Sequence, residues 1–418
     1  MVMNSKRFYV FSAGCIRRGL DTIHMQQYLQ ANGWTHTRWI SRADLIIVAT
    51  CGVVRLNEVS SLNGIAAAVQ AKRQSATIAV TGCLPIINPD AISALGDFVI
   101  IPTKQESKLD ELIHATIPYA SVSAPDSITD NQDIVNYLVA RSFCRRFAPY
   151  KWFFYKFGMN PYFLSISVAV NRAWNRLAGL IAGKPARKLV PYFNIKIADG
   201  CLSDCTYCAT KFATGKLHSR SADAILDNFR SGLEKGYRVF QLIAEDTGCW
   251  GLDIGDTLAS LLTRIFAIEG DYQLIIIDCC PQWLVGEYRG IIDVLVANQE
   301  RIKEVFIPLQ SGCDQVLQRM KRGYTAAEVK EMLSALNERA PDIALRTSLL
   351  IGFPGETDTN FQETIQFLSG LKFAEIAINR YEDRPGTESS AMPDKVPQQT
   401  IEDRAHYLAE KLNCKILS

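Results

Sequence analysis

Tyr192-Phe193-Asn194-Ile195-Lys196-Ile197-Ala198-Asp199-Gly200-Cys201-Leu202-Ser203-Asp204-Cys205-Thr206-Tyr207-Cys208 is the stretch on which the reading of this chain turns. Its first half has the apolar, alternating character of a strand, and its second half delivers three cysteines in one short loop. Three thiolates so close together can hold three irons of a four-iron cluster, because cluster irons take cysteine sulfur, and the fourth iron then stays open. A zinc knuckle is the competing reading. Zinc wants a fourth protein ligand, however, and the sequence offers none nearby. The loop also lies where barrel active sites form, at the carboxyl end of a strand.

Working outward from that loop, strands are expected at Tyr192–Ala198, Val239–Ala244, Gln273–Asp278, Glu304–Leu309, Ala344–Ile351 and Ala374–Arg380. Helical runs at Ala222–Glu234, Thr257–Ile268, Ala326–Glu338 and Asp358–Leu368 lie between them. Six βα units in about two hundred residues suit a partial (β/α)6 barrel rather than a closed eight-stranded one. The first 118 residues repeat the alternation on a smaller scale. Short apolar runs at Phe8–Ser12, Leu45–Ala49, Ile78–Val80 and Phe98–Ile101 are followed by helical stretches at Leu20–Ala31, Glu58–Ala71, Asp90–Leu95 and Glu106–Ala115. The fold class is therefore α/β, with a doubly wound parallel-sheet domain over 1–118 followed by the partial barrel over 191–395. A linker and insertion occupy 119–190, and a C-terminal helix is expected over 396–418.

A second set of cysteines falls in the smaller domain. Ala13-Gly14-Cys15, Ala49-Thr50-Cys51 and Thr81-Gly82-Cys83 each close one of its first three apolar strands. Carboxyl ends of neighbouring parallel strands lie side by side, so these residues meet at one sheet edge. Any one of them alone reads as a small buried residue. Together they make a second trio of metal-ligating thiols. Cys144, Cys249, Cys279, Cys280, Cys313 and Cys414 lack ligand spacing and read as packing residues, although Cys279 and Cys280 end the third barrel strand and could face the cavity. The five histidines form no pair with ligand spacing, which argues against a separate zinc site.

The chain has 45 basic and 43 acidic residues, a balance too even to name a partner. Locally the balance fails: residues 141–190 hold ten Lys or Arg, eleven aromatics and no acid. Such a segment can neutralise phosphates and stack on unpaired bases of an RNA. It can equally be a helical pair packed on the barrel, or an amphipathic element on a membrane surface. The longest uncharged run, Phe157 to Asn171, has fifteen residues and is too short to span a bilayer. Met1 to Arg18 lacks the apolar core and cleavage site of a secretory signal, so a cytoplasmic location is expected, where clustered cysteines serve metals or catalysis rather than disulfides.

With an aromatic before its last cysteine, the Cys201–Cys205–Cys208 triplet resembles the signature of the radical S-adenosylmethionine (SAM) superfamily. Later segments are similar to motifs of its methylthiotransferase family. Val305-Phe306-Ile307-Pro308-Leu309-Gln310-Ser311-Gly312-Cys313-Asp314 matches the fourth-strand motif, Ile351-Gly352-Phe353-Pro354-Gly355-Glu356-Thr357 the fifth-strand loop, and Arg384-Pro385-Gly386-Thr387 the closing motif. The resemblance spans nearly all of 1–118 and 191–414. It implies two 4Fe-4S clusters, one on Cys201, Cys205 and Cys208 and an auxiliary one on Cys15, Cys51 and Cys83 thought to supply sulfur. It also implies SAM bound near Tyr207, Glu245, Asp246, Gln310, Ile351, Gly352 and Phe353, and an electron donor such as flavodoxin or ferredoxin. The chain departs from the family at Ala49, where Asn is common, and near Arg346, where an acid is common.

Ala244-Glu245-Asp246-Thr247-Gly248 with Gly251-Leu252-Asp253-Ile254-Gly255 most resembles the branch acting on threonylcarbamoyladenosine in tRNA. That branch normally continues into a small β-barrel RNA-binding domain, whereas only about thirty residues follow Thr387 here, and these are expected to end in a helical run. The resemblance thus implies insertion of sulfur and a methyl group at an unactivated C–H, with a modified adenosine in tRNA as the lead substrate and a peptide or small metabolite as the alternative. A monomer is expected.

Overall fold

In the computed structural model, residues 6–12, 15–125, 192–286, 290–412 and 415–416 are described. The basic aromatic stretch of 141–190, with Cys144, and Cys414 further on, lie outside them. The chain divides into two compact units, Met1–Pro191 and Tyr192–Ser418. No helix among the described residues is long and apolar enough to cross a membrane.

The first unit is built on five parallel strands: β1 (Arg7–Ser12), β2 (Thr35–His36), β3 (Leu45–Thr50), β4 (Thr77–Gly82) and β5 (Val99–Pro102). Their order, β2-β1-β3-β4-β5, is that of a doubly wound sheet whose winding reverses between β1 and β3. Strand alternation sends successive side chains to opposite faces. Leu45 and Ile47 join Met25, Tyr28 and Leu29 of helix Ile16–Ala31 on one side. Ile46 and Val48 join Ile65 and Ala68 of helix Arg55–Ala71 on the other. Both faces are covered, which is why β3 reads as a continuous apolar run. Strand β2 was not among the expected strands, because two polar residues at a sheet edge carry no apolar run.

In the second unit, β6 (Phe193–Lys196) is followed by a short antiparallel pair, β7 (Ala198–Asp199) with β8 (His218–Ser219). Then come β9 (Val239–Ile243), β10 (Gln273–Ile276), β11 (Ile302–Gln310), β12 (Ala344–Ile351), β13 (Glu375–Arg380) and β14 (Lys415–Ile416). Seven of these form one open parallel sheet, β14-β13-β12-β11-β10-β9-β6, in which spatial order follows chain order. The six expected strands are present. The C-terminal segment differs from expectation, since helix Gln398–Lys411 is followed by the edge strand β14.

The crossover helices begin where the sequence provides caps. Thr325 and Thr357 each form a reciprocal capping box, with Glu328 and Asn360 respectively. Such caps satisfy backbone amides that the first helical turn leaves unpaired, each worth about 1 kcal/mol. One continuous core runs from Phe193 through Leu242, Leu274, Ile307 and Leu349 to Leu408. Its result is a rigid platform whose strand ends all point one way.

Candidate cluster and cofactor site

The cysteine loop follows β7 and is fixed by backbone and side-chain bonds. Glu245, just after β9, accepts a hydrogen bond from the Gly200 amide at 2.9 Å. The Thr206 amide donates to Met320 O at 3.1 Å, and Thr206 Oγ1 donates to Arg319 O at 3.0 Å. Cys201 Sγ accepts from the Ser203 amide at 3.2 Å, and Cys205 Sγ accepts from Arg322 Nη1 at 3.3 Å. All three donors are thiols on one short loop, and two of them already receive N–H bonds of the kind that cluster sulfurs accept. The residues therefore fit an iron–sulfur cluster. Cys201 is held below the ordinary thiol range, first by its hydrogen bond with Cys249. Cys208 is pushed up by burial, then by the charge of Cys205.

Asp246, expected near the cofactor, is held by three donors. Its Oδ1 accepts from the amides of Gly248 at 3.0 Å and Cys280 at 3.1 Å, while Oδ2 accepts from Trp283 Nε1 at 2.7 Å. Burial raises its carboxyl above the usual range despite these donors. Asp246 thus ties the end of β9 to the loop after β10. Glu245 likewise spends Oε2 on the cysteine loop.

The remaining expected contacts sit on successive strand ends. Gln310 ends β11 with φ +72°, an uncommon conformation for a residue with a side chain. Ile351 ends β12 and is fully buried in the core, so any cofactor contact there falls to its backbone. Gly352 has φ +83°, and a Cβ there would lie 2.3 Å from Ile401 Cγ1, so helix Gln398–Lys411 can approach only a glycine. Phe353 is fully buried and meets Tyr381 edge-on at 5.5 Å, in a cluster against which Tyr207 packs.

In the first unit, Cys51 and Cys83 follow β3 and β4 directly, and Cys15 lies three residues beyond β1. Register places Ser12 beside Ala49 and Thr50 beside Gly82, so the three strand ends are adjacent. Cys15 and Cys83 are the N-cap residues of helices Ile16–Ala31 and Leu84–Ile87. The Cys51 amide donates to Ser61 Oγ at 2.9 Å, and its Sγ accepts from Asn57 Nδ2 at 3.5 Å. Three thiols at adjacent strand ends, with an amide donor on Cys51, also fit a cluster. Of the departures from the family pattern, Ala49 is buried within β3, and Arg346 bridges Glu304 at 2.6 Å and Glu375 at 2.5 Å across three strands.

Two functional neighbours escaped the sequence reading. Cys249 was taken for packing and is indeed fully buried, yet its thiol, the Cys201 thiol and an Asp246 oxygen all lie within 4.8 Å of one another. Arg322 follows a lysine in a basic dipeptide that looks like solvated surface, yet it is buried against Cys205. Neither has a spacing signal.

Comparison with known proteins bears on both units. The family model for the radical SAM superfamily matches residues 195–368, and one described as uncharacterized protein family UPF0004 matches residues 7–101. The chain is 28% identical over 407 residues to a probable threonylcarbamoyladenosine tRNA methylthiotransferase of Pyrococcus abyssi, covering 96% of this chain and 83% of that protein. It is 29% identical over 409 residues to the threonylcarbamoyladenosine tRNA methylthiotransferase of Homo sapiens, covering 97% and 62%. It is 34% identical over 217 residues to the ribosomal protein uS12 methylthiotransferase RimO of Heliobacterium modesticaldum, covering 51% and 46%. In fold it is similar to the radical SAM methyltransferase TsrM of Kitasatospora setae, solved with cobalamin and a 4Fe-4S cluster, with a TM-score of 0.59 at 12% identity over 92% of this chain and 74% of that one.

Fold and cysteine loop together define a radical SAM enzyme. Within that class, the proteins it is similar to over most of its length are methylthiotransferases.

Proposed function

We propose that this enzyme attaches a methylthio group to threonylcarbamoyladenosine in tRNA. The observation that carries the substrate is the match, over 96% of the chain, to a relative named for that reaction. In this reading Cys201, Cys205 and Cys208 hold one 4Fe-4S cluster, and Cys15, Cys51 and Cys83 hold a second. The first would leave one iron open to the amino and carboxylate groups of SAM and would supply the electron that cleaves its sulfonium, while the second would supply sulfur. Glu245 sets the cysteine loop through Gly200, and Asp246 sets the neighbouring strand end. Tyr207, Gln310, Ile351, Gly352 and Phe353 line the cofactor's approach. An electron donor such as flavodoxin or ferredoxin completes the system.

The test is direct. Protein reconstituted anaerobically with iron and sulfide is incubated with SAM, reductant and tRNA carrying threonylcarbamoyladenosine, and the digested nucleosides are analysed by mass. A methylthio derivative is expected. Its absence, together with a methylthio product on ribosomal protein uS12 or another peptide, would move the substrate to that class. Charge reversal at Arg145, Arg146, Lys151 and Lys156 then reports on the basic segment. Weaker tRNA binding with a flatter salt dependence is expected, because fewer counterions are released per complex.

A further inference from the structure

Arg322 is 8% exposed, and among the described residues no carboxylate lies within ion-pair distance of it. Its donors are nonetheless engaged. Nη1 reaches Cys205 Sγ at 3.3 Å and Tyr207 Oη at 3.4 Å, Nη2 reaches Pro308 O at 2.8 Å, and Nε reaches Tyr324 Oη at 3.1 Å. Tyr324 is fixed in turn by its bond to Leu309 O at 2.6 Å. The turn bearing Arg322 is held by its amide bond to Leu317 O at 2.9 Å, and the cysteine loop is bonded to the same turn through Thr206. Guanidinium and thiol are therefore parts of one rigid unit.

A buried cation is costly unless an anion compensates it. The neutral oxygens around Arg322 satisfy its geometry but not its charge. Of the groups that touch it, the Cys205 sulfur is the one that carries negative charge as a cluster ligand. Resting on the assignment of Cys201, Cys205 and Cys208 as cluster ligands, we infer that Arg322 is a positioning residue that holds the Cys205 thiolate and eases reduction of the cluster. The physical reason is one of sign. Reduction adds one negative charge to the cluster and its ligands, and a fixed cation in contact with a ligand sulfur favours the more negative state. Hydrogen bonds to sulfur and local charge are the protein's usual levers on such potentials.

The test is a potential titration of the full-length reconstituted protein, following the electron paramagnetic resonance signal that changes on addition of SAM. Arg322→Gln keeps polar donors and removes the charge. It is expected to lower the ratio of reduced to oxidised cluster about tenfold at a fixed solution potential, which corresponds to a midpoint lower by about 59 mV for one electron. Arg322→Lys keeps the charge, so most of the wild-type ratio should survive. Iron content is measured on both variants. A midpoint unchanged in Arg322→Gln with the cluster present overturns the inference. So does a lysine variant that shifts as far as glutamine, since charge would then not be the cause. If glutamine loses the cluster altogether, the lysine variant decides: cluster retained with a near wild-type midpoint supports the role of charge, and cluster lost refutes it. Failure of the underlying assignment looks different. A Cys201/Cys205/Cys208→Ala triple variant would then keep both its iron and its SAM-responsive signal.

Discussion

The two units place three thiols at the carboxyl ends of parallel strands, but they do so by opposite means. In the first, each cysteine stands on a different strand end, and only the pairing of β1, β3 and β4 brings Cys15, Cys51 and Cys83 together. In the second, Cys201, Cys205 and Cys208 share one loop, and neighbouring strands supply what surrounds them: Glu245 after β9, Pro308 within β11, Arg322 beyond it. One site is a product of sheet topology and the other of loop chemistry. Their electrostatics differ accordingly. Cys51 receives a neutral amide N–H from Asn57, whereas Cys205 receives a buried guanidinium.

The largest test of this contrast removes each triad in turn. Wild-type protein should carry about eight irons, and alanine at either triad should leave about four. Loss of Cys201, Cys205 and Cys208 should abolish cleavage of SAM to 5′-deoxyadenosine. Loss of Cys15, Cys51 and Cys83 should spare cleavage and stop methylthio transfer. Iron analysis and product chromatography on the same preparations check both. A wild-type protein saturating at about four irons would break the comparison, because only one site would then exist.

A second test asks which site depends on backbone geometry. Gly82 closes β4 with φ +95°, and a Cβ there would lie 2.2 Å from Thr50 O of the neighbouring strand. Backbone cannot step aside, so Gly82→Ala should cost about 4 kcal/mol in denaturant unfolding. At Gly352 the obstacle is the Ile401 side chain. Gly352→Ala should therefore be partly rescued by Ile401→Ala, while no side-chain truncation rescues Gly82→Ala.

Strand ends and cysteine positions were legible in the sequence because apolar runs and chain order suffice to place them. The rest was not, for reasons particular to each residue. β2 is too short and too polar to announce itself. Helix Leu84–Ile87 contains Pro85, which is tolerated only because it stands in the first turn, and it was missed. Asp246 was legible as a site residue but its partners were not, since Trp283 and the Cys280 amide reach its oxygens only through folding. Arg322 and Cys249 become neighbours of the cysteine loop through folding alone.

Charge buried away from the thiols gives a smaller, pH-dependent effect. Glu356 accepts from the Gly352 amide at 2.7 Å and from Arg404 at 2.9 Å, and burial pushes its carboxyl up to about 7. The folded state therefore binds a proton that the unfolded state releases at the ordinary value of 4.5. The stability this contributes is fully present below that value and is lost as pH rises through about 7, on the order of 3 kcal/mol in all. Glu356→Gln should flatten that window. In the first unit, Glu106 shifts the same way, by burial first and then by the charge of Asp21. The difference between wild type and Glu356→Gln, followed by unfolding from pH 4 to 8, isolates the second unit's share.

The smallest expected effect concerns Asn57, the counterpart of Arg322 beside the other triad. Its amide stands 3.5 Å from Cys51 Sγ, a long contact to a weak acceptor, and it carries no charge. Ser61 separately holds this corner, donating to Asn57 O at 2.8 Å and accepting the Cys51 amide at 2.9 Å. Removing the Asn57 side chain deletes this weak bond to sulfur and leaves the frame held by Ser61 standing. Asn57→Ala should cost no more than about 1 kcal/mol of stability and leave the iron content unchanged. It should move the potential of the iron bound there far less than Arg322→Gln moves that of the other site, because a neutral donor stabilises both redox states where a cation favours one. Titration of both variants by the same electron paramagnetic resonance method makes the comparison. Equal shifts from Asn57→Ala and Arg322→Gln would show that hydrogen bonding rather than charge sets both sites, and the electrostatic contrast between the two units would fall.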